Sequence, residues 1–174
     1  MLNKLVFVFT LIGIVIFLYF FYLAKKSQKD TALGLTNSTL HVCSSKPNCV
    51  SSEDILDKVH YIKPYSYSAL VNSDLERKKQ SEIIWQTLLI TLKQMNAKIE
   101  LRTKTYLAVT FSSSFFGFVD DLEARIDEQN ATVHFRSASR VGTSDFGVNR
   151  KRVKAIIYRL EENLQKVQSK SIKS

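Results

Sequence analysis

A chain of 174 residues, 45% of them apolar, has room for one compact domain and an appendage; two domains would be a squeeze, since single domains commonly take on the order of 100–150 residues. Its net charge of +9, from 25 Lys and Arg against 16 Asp and Glu, is uneven: residues 150–174 carry eight cations and two acids. Such a tail suits nucleic acid or anionic lipid, but no aromatics interleave the charges as a stacking groove requires, so a solvated helix face with a frayed end is the favoured reading.

From Leu5 to Leu23 the chain runs 19 residues without a charge, about 28 Å as a helix and close to the apolar thickness of a bilayer. Tyr19, Tyr22, Lys25 and Lys26 follow the pattern of interfacial anchors. A cleaved signal peptide calls for a shorter apolar core and a small-x-small site, which Ala24-Lys25-Lys26-Ser27 does not supply. Residues 1–4 are then a short tail, 5–24 a transmembrane anchor, 25–40 a juxtamembrane linker, 41–168 a single globular α+β domain, and 169–174 a disordered basic tail.

Two arguments about topology collide. Lys4 precedes the span while Lys25, Lys26 and Lys29 follow it, a count that places the domain in the cytoplasm. Against this, Cys43 and Cys49 flank the turn-forming Lys46-Pro47-Asn48, and a loop this short can close as a disulfide, which persists only in oxidising compartments. Two unlinked thiols on an extended arm fit the same spacing. The balance is taken towards a domain outside the cytoplasm. Two sulfurs with His41 nearby do not complete a metal site, and no cofactor is implied.

Within the domain, Val59–Ile62 before Pro64 reads as a short edge strand, His60 as a half-exposed surface residue, and Tyr61, Tyr65 and Tyr67 as the cover of a core edge. After a Ser73-Asp74 cap, Ile84, Trp85, Leu88, Leu89, Leu92 and Met95 fall at helical spacing. Alternation then predicts strands over 97–102 and 105–111, and over 119–126 and 131–139 around a 127–130 hairpin loop. Placing Ile126 opposite Ala131 sets Leu122 against Phe135 and Ala124 against Val133 on the core face, and Asp121 against Arg136 and Glu123 against His134 on the other. Asp120 falls on the core side, opposite Ser137, where it needs donors. The loop 111–118 holds four phenylalanines; they can dip into lipid or line a pocket, but plugging the end of the sheet is favoured. A last helix runs from about Phe146 to Lys166, with Val153, Ile156, Ile157, Leu160 and Leu164 inward. The fold predicted is a two-layer antiparallel sheet of about four strands with two helices on one face.

The stretch between the last strand and last helix concentrates the chemistry. Thr143, Ser144 and Asp145 are each good caps, and Arg136, Arg140, Arg150 and Arg152 crowd the helix N-terminus, where a phosphate, sulfate or carboxylate can be held. Asp120, Asp121 and Asp145 neutralising these arginines in a structural knot explains the same residues equally well. The stretch resembles the domain-of-unknown-function 1499 family, whose signature is carried here by Ser137, Ser139, Arg140, Gly142, Asp145, Gly147, Asn149, Arg150 and Arg152. Pro47-Asn48-Cys49-Val50-Ser51-Ser52 and Gly117-Phe118-Val119-Asp120-Asp121 match its upstream and middle blocks; Lys46 departs from it. The resemblance covers about residues 41–165 and implies a small membrane-attached or exported protein, with no activity to carry across.

The reading drawn from this is a membrane-anchored binding or scaffolding module of the cell envelope. It presents Arg136, Ser137, Ser139, Arg140, Gly142, Asp145, Gly147, Asn149, Arg150 and Arg152, with Asp120 and Asp121, to an anionic small molecule or an envelope protein. Its rival is a hydrolase using Ser137, Ser139 or Cys49 with the Gly117–Asp121 carboxylates. His134 lies on the strand face opposite Ser137, which counts against a Ser–His pair. Nucleic acid is the disfavoured partner of a membrane-attached chain.

Overall fold

The computed structural model describes residues 2–70 and 74–171, without the side chains of Leu2, Leu75, Lys170 and Ser171. The apolar block is one helix, α1 (Leu2–Ser27), long and apolar enough to cross a membrane. It takes in residues 2–4, so the expected N-terminal tail is helical from Leu2. At its other end Lys25 and Lys26 lie beside the last carbonyls, where cations are favoured.

The domain contains β3 (Cys49–Ser51), β4 (Tyr65–Ser66), α2 (Asp74–Gln94), β5 (Lys98–Arg102), β6 (Tyr106–Ser112), β7 (Val119–Asp127), β8 (Thr132–Ser139) and α3 (Val148–Ser171), preceded by a small hairpin of β1 (Leu35–Thr36) and β2 (Thr39–Leu40). The main sheet is antiparallel in the order β3-β8-β7-β6-β5, with β4 pairing β8 beyond β3. It has six strands rather than four, because β3 and β4 are too short to carry a two-residue period. The expected strand at Val59–Ile62 is a single bridge from Tyr61 to Ser51. Asp74 opens α2; Ser73, the other half of the proposed cap, lies outside the described residues.

Helices α2 and α3 lie on one face. Ile84, Leu88 and Leu92 of α2 and Val153, Ile156 and Leu160 of α3 meet Leu107, Val109, Leu122, Ala124, Val133 and Phe135 of the sheet, all essentially solvent-free. Trp85 joins this core, and Tyr67 seals its edge with its hydroxyl on Ser81 Oγ at 2.6 Å. In the β7–β8 hairpin Ile126 faces Val133 and Asp120 faces Ser139, two residues away from the predicted register. Ala131, in a left-handed turn conformation (φ 49°), belongs to the hairpin loop and causes the shift. A two-residue shift preserves the faces, so the core side was read correctly while every cross-strand partner changed. Glu123 now faces Arg136, and Leu122 faces Ser137.

The opposite sheet face is also covered. The expected juxtamembrane linker, 25–40, is helical as far as Ser27, and segment 28–42 then crosses this face as a strap: Leu40 is buried on Tyr106 and Ala108, with Ala32 beside them. The final helix begins at Val148 rather than Phe146, because Phe146 and Gly147 both have positive φ (53° and 77°), which no helix accommodates. It continues to Ser171, about one and a half turns past the predicted end. Thus 169–171 of the expected disordered tail are helical, and 172–174 lie outside the described residues.

Candidate functional site

The end of β8 and the start of α3 meet around Asn149, which has no solvent exposure. Its Oδ1 accepts from Ser137 Oγ (2.6 Å) and from Arg152; its Nδ2 donates to the Asn48 carbonyl and to Ser139 Oγ, both at 3.0 Å. Asn48 in turn donates from Nδ2 to the Gly142 carbonyl (3.0 Å), and its carbonyl accepts from Ser139 N. Asp145 caps α3 by accepting from Asn149 N (2.7 Å) and Gly147 N (2.9 Å). Gly142 and Gly147 hold φ of +84° and +77°, which a side chain would strain, and this is what lets the turn fold back on itself.

Each arginine proposed to face an anion is engaged by the protein. Arg140 grips Asp121 bidentately (Nε–Oδ2 2.9 Å, NH2–Oδ1 2.7 Å) and donates from NH1 to the carbonyl of Ser27, the last residue of α1, at 3.1 Å. Asp121 beside it holds the guanidinium more firmly protonated than usual. Arg136 pairs with Glu123 at 2.9 Å, both buried. Arg152 pairs with Asp120 at 2.7 Å and lies over the Phe111 ring. Arg150 donates to the carbonyls of Tyr61 and Val59, both at 2.7 Å. Of the carboxylates expected in the knot, Asp121 closes Arg140 and Asp120 closes Arg152, while Asp145 caps α3 and Glu123 and two carbonyls take Arg136 and Arg150. What the turn does present outward is Phe146, 90% exposed.

Beneath the strap lies a polar layer that the sequence reading did not assemble. Fully buried Glu123 accepts from Tyr106 OH (2.6 Å) and Gly34 N (2.9 Å) as well as from Arg136. Burial, then this carboxylate, pushes the Tyr106 hydroxyl well above its ordinary pKa. Glu53 accepts from Arg125 Nε (2.7 Å) and Leu40 N (2.8 Å). His134 lies 3.8 Å from Glu53 and takes Ser52 Oγ at 3.3 Å on the same ring nitrogen, Nδ1; burial lowers its pKa. The alternation of charges along β7 and β8 was the available signal, but the partners from the strap and from Glu53 are distant in sequence.

The hydrolase nucleophiles fare poorly. Cys49 is joined to Cys43 in a disulfide, with Cα atoms 5.7 Å apart. Ser137 is buried and donates to Asn149; Ser139 accepts from the same side chain. Ser52 and His134 do meet, but Ser52 is 5% exposed, its Oγ accepts from Phe135 N at 2.8 Å, and Glu53 stands on the same imidazole nitrogen as the hydroxyl, where it cannot orient the ring as a base. His60, expected at the surface, is buried: Nδ1 meets Asp57 at 2.5 Å and Nε2 the Lys46 carbonyl at 3.0 Å, tying the disulfide loop to the next turn. His60 holds the Asp57 carboxyl below its usual range.

Two surface concavities lie elsewhere. One, of about 570 Å³, lies between α2 and the β5–β6 turn, lined by Lys78, Trp85, Arg102 and Lys104; the other, of about 530 Å³, is lined by Tyr61, Tyr65, Lys154 and Tyr158, with Arg150 alone of the motif arginines at its wall.

Fold and site together define a small α+β domain whose most distinctive polar cluster is internal and reaches the end of an apolar, membrane-length helix. The chain belongs to the family described as protein of unknown function DUF1499, whose model matches residues 39–160. The three blocks that carry the resemblance come together in the fold: Asn48 from the first, Asp121 from the second, and Ser139, Arg140, Gly142 and Asn149 from the third are in direct contact. No curated protein matches the chain.

Proposed function

We propose that this protein is a non-catalytic scaffolding module of the cell envelope, retained in the membrane by α1, with its motif serving to lock domain and anchor together. The observation that carries the reading is Arg140, which spans Asp121 on β7 and the terminal carbonyl of α1. Ser27 is fully buried, donates to the Ala24 carbonyl (2.6 Å) and accepts from Val119 N (3.1 Å); Ala24 is 1% exposed. A leader peptide must present an extended, accessible cleavage site after its apolar core, and here that segment is helical and packed into the domain. The disulfide supports a domain on the non-cytoplasmic side against the lysine count. A domain so fixed presents Phe146 and its surroundings in a set orientation, which suits an envelope protein partner better than a free anion, because each of the four arginines is already held by a carboxylate or carbonyl of the domain.

The test has two parts. The full-length, uncleaved chain is expected in carbonate-washed membranes, and a photo-crosslinking residue at position 146 is expected to form a discrete protein adduct. A soluble product beginning beyond Ser27 overturns the anchor; labelling of lipid only, or of nothing, overturns the partner. Arg140→Ala leaves Asp121 unpaired among side chains that are 7% and 9% exposed, so it should destabilise by about 3–5 kcal/mol, read as a fall in Tm. An unchanged Tm would remove the lock.

A further inference from the structure

The loop 113–118 between β6 and β7 packs against α1 and not over the end of the sheet, as the sequence had suggested. Phe116 lies 5.6 Å from Phe20 in a stacked arrangement and 5.7 Å from Phe17; Phe118 meets Phe20 edge-on at 6.3 Å. These contacts set a depth. Phe17 and Phe20 lie six and three residues before Leu23, the end of the uncharged block, which is about 9 and 4.5 Å along a helix axis. Whatever stacks on them is inside the apolar slab that α1 spans. Phe115, edge-on to Phe116 at 4.7 Å, is nevertheless 82% exposed, so protein covers almost none of its ring.

The loop is built for such a place. Residues 111–119 contain no charge. Three of its backbone donors close locally at the base of the loop: Ser113 N on the Phe118 carbonyl (2.8 Å), Gly117 N on the Ser113 carbonyl (3.1 Å), Phe118 N on Ser113 Oγ (3.0 Å). The Gly117 carbonyl accepts from Gln28 Nε2 at 3.3 Å. Polar backbone closed within the protein needs no water, which lowers the cost of holding the base of the loop against the apolar edge of a bilayer. Gly117, at φ +74°, turns the chain where an added Cβ would press on Gln28 Nε2 at 3.3 Å.

We infer that loop 113–118 is a second membrane contact, with Phe115 inserted among the acyl chains just below the headgroups beside α1. The partner is the lipid bilayer itself. The inference rests on α1 being a membrane anchor, and its effect is to fix the tilt and rotation of the domain on the bilayer, which one span alone does not do.

The test uses the full chain in vesicles of phosphatidylcholine and phosphatidylglycerol, with its disulfide intact and an environment-sensitive fluorophore on one introduced thiol: Phe115→Cys, Phe17→Cys within the span, or Gln129→Cys. Position 129 is in the distal hairpin, about 27 Å along β7 from Val119. The probe at 115 is expected to be blue-shifted and quenched by lipids spin-labelled at shallow acyl carbons as strongly as the probe at 17, with no quenching at 129. A water-like, unquenched probe at 115 beside a quenched probe at 17 overturns this inference and leaves the anchor standing. Loss of quenching at 17 as well overturns the anchor reading. A probe at 115 shielded from both lipid and aqueous quenchers shows a protein cover there, and also overturns the lipid contact.

Discussion

Arg140 and His134 show how the same sheet face uses charge in two ways. Arg140 is held by a carboxylate and a carbonyl, so its charge is matched on both sides. His134 sits beside Glu53 but also near Arg125, and its burial outweighs the carboxylate, favouring the neutral ring. A histidine with a lowered folded pKa binds fewer protons than the unfolded chain below the ordinary value of about 6.5, so stability must rise with pH from the depressed value up to that point and level off above it. The denaturation midpoint of the wild type is therefore expected to fall between about pH 7.5 and pH 5, and His134→Gln to fall less over the same interval. Equal slopes would show that the ring carries no such linkage. At this scale the residue types were readable in the sequence and their partners were not. Asp121 was matched on paper with Arg136, yet its guanidinium partner is Arg140, because Ala131 went to the turn and moved the register by two.

Among the elements, the strap 28–42 departs most from expectation. A polar segment with one glycine and no period reads as a tether, yet its few apolar residues are placed to dock: Leu40 fills the space over Tyr106 and Ala108, while the amides of Gly34 and Leu40 satisfy Glu123 and Glu53. The strap is thus the lid of a buried ionic layer, and removing its anchor costs both packing and shielding. Leu40→Ala is expected to cost about 2–5 kcal/mol, as for other buried leucines, measured by denaturant titration. A loss below about 0.5 kcal/mol, the range of surface substitutions, would mean the strap is a tether after all. The long helices and the hairpin strands were legible because each repeats its pattern over several turns or residues. β3 and β4, at three and two residues, have no pattern to repeat.

On the scale of the molecule, the disulfide and the α1 junction are the two features that bear on the proposed location of the domain. The Cys43–Cys49 loop is short, so its chain-entropy contribution is about 2 kcal/mol, and replacing both cysteines by serine should lower stability by about that amount. Its larger value is as a reporter of compartment: in membranes from intact cells neither thiol should take up a maleimide before reduction, and both should after it. Uptake without reduction would place the domain in a reducing compartment and restore the topology that the lysines favour. By itself the sequence determined the apolar span, the two amphipathic helices and the α+β class, because these depend on local composition and period. It also marked the residues of the motif as a group. Only the tertiary structure decided that the group's arginines are held by the domain itself: the choice between an open arginine and a closed one depends on partners such as Ser27, 113 residues away from Arg140, and no local pattern encodes a contact at that separation.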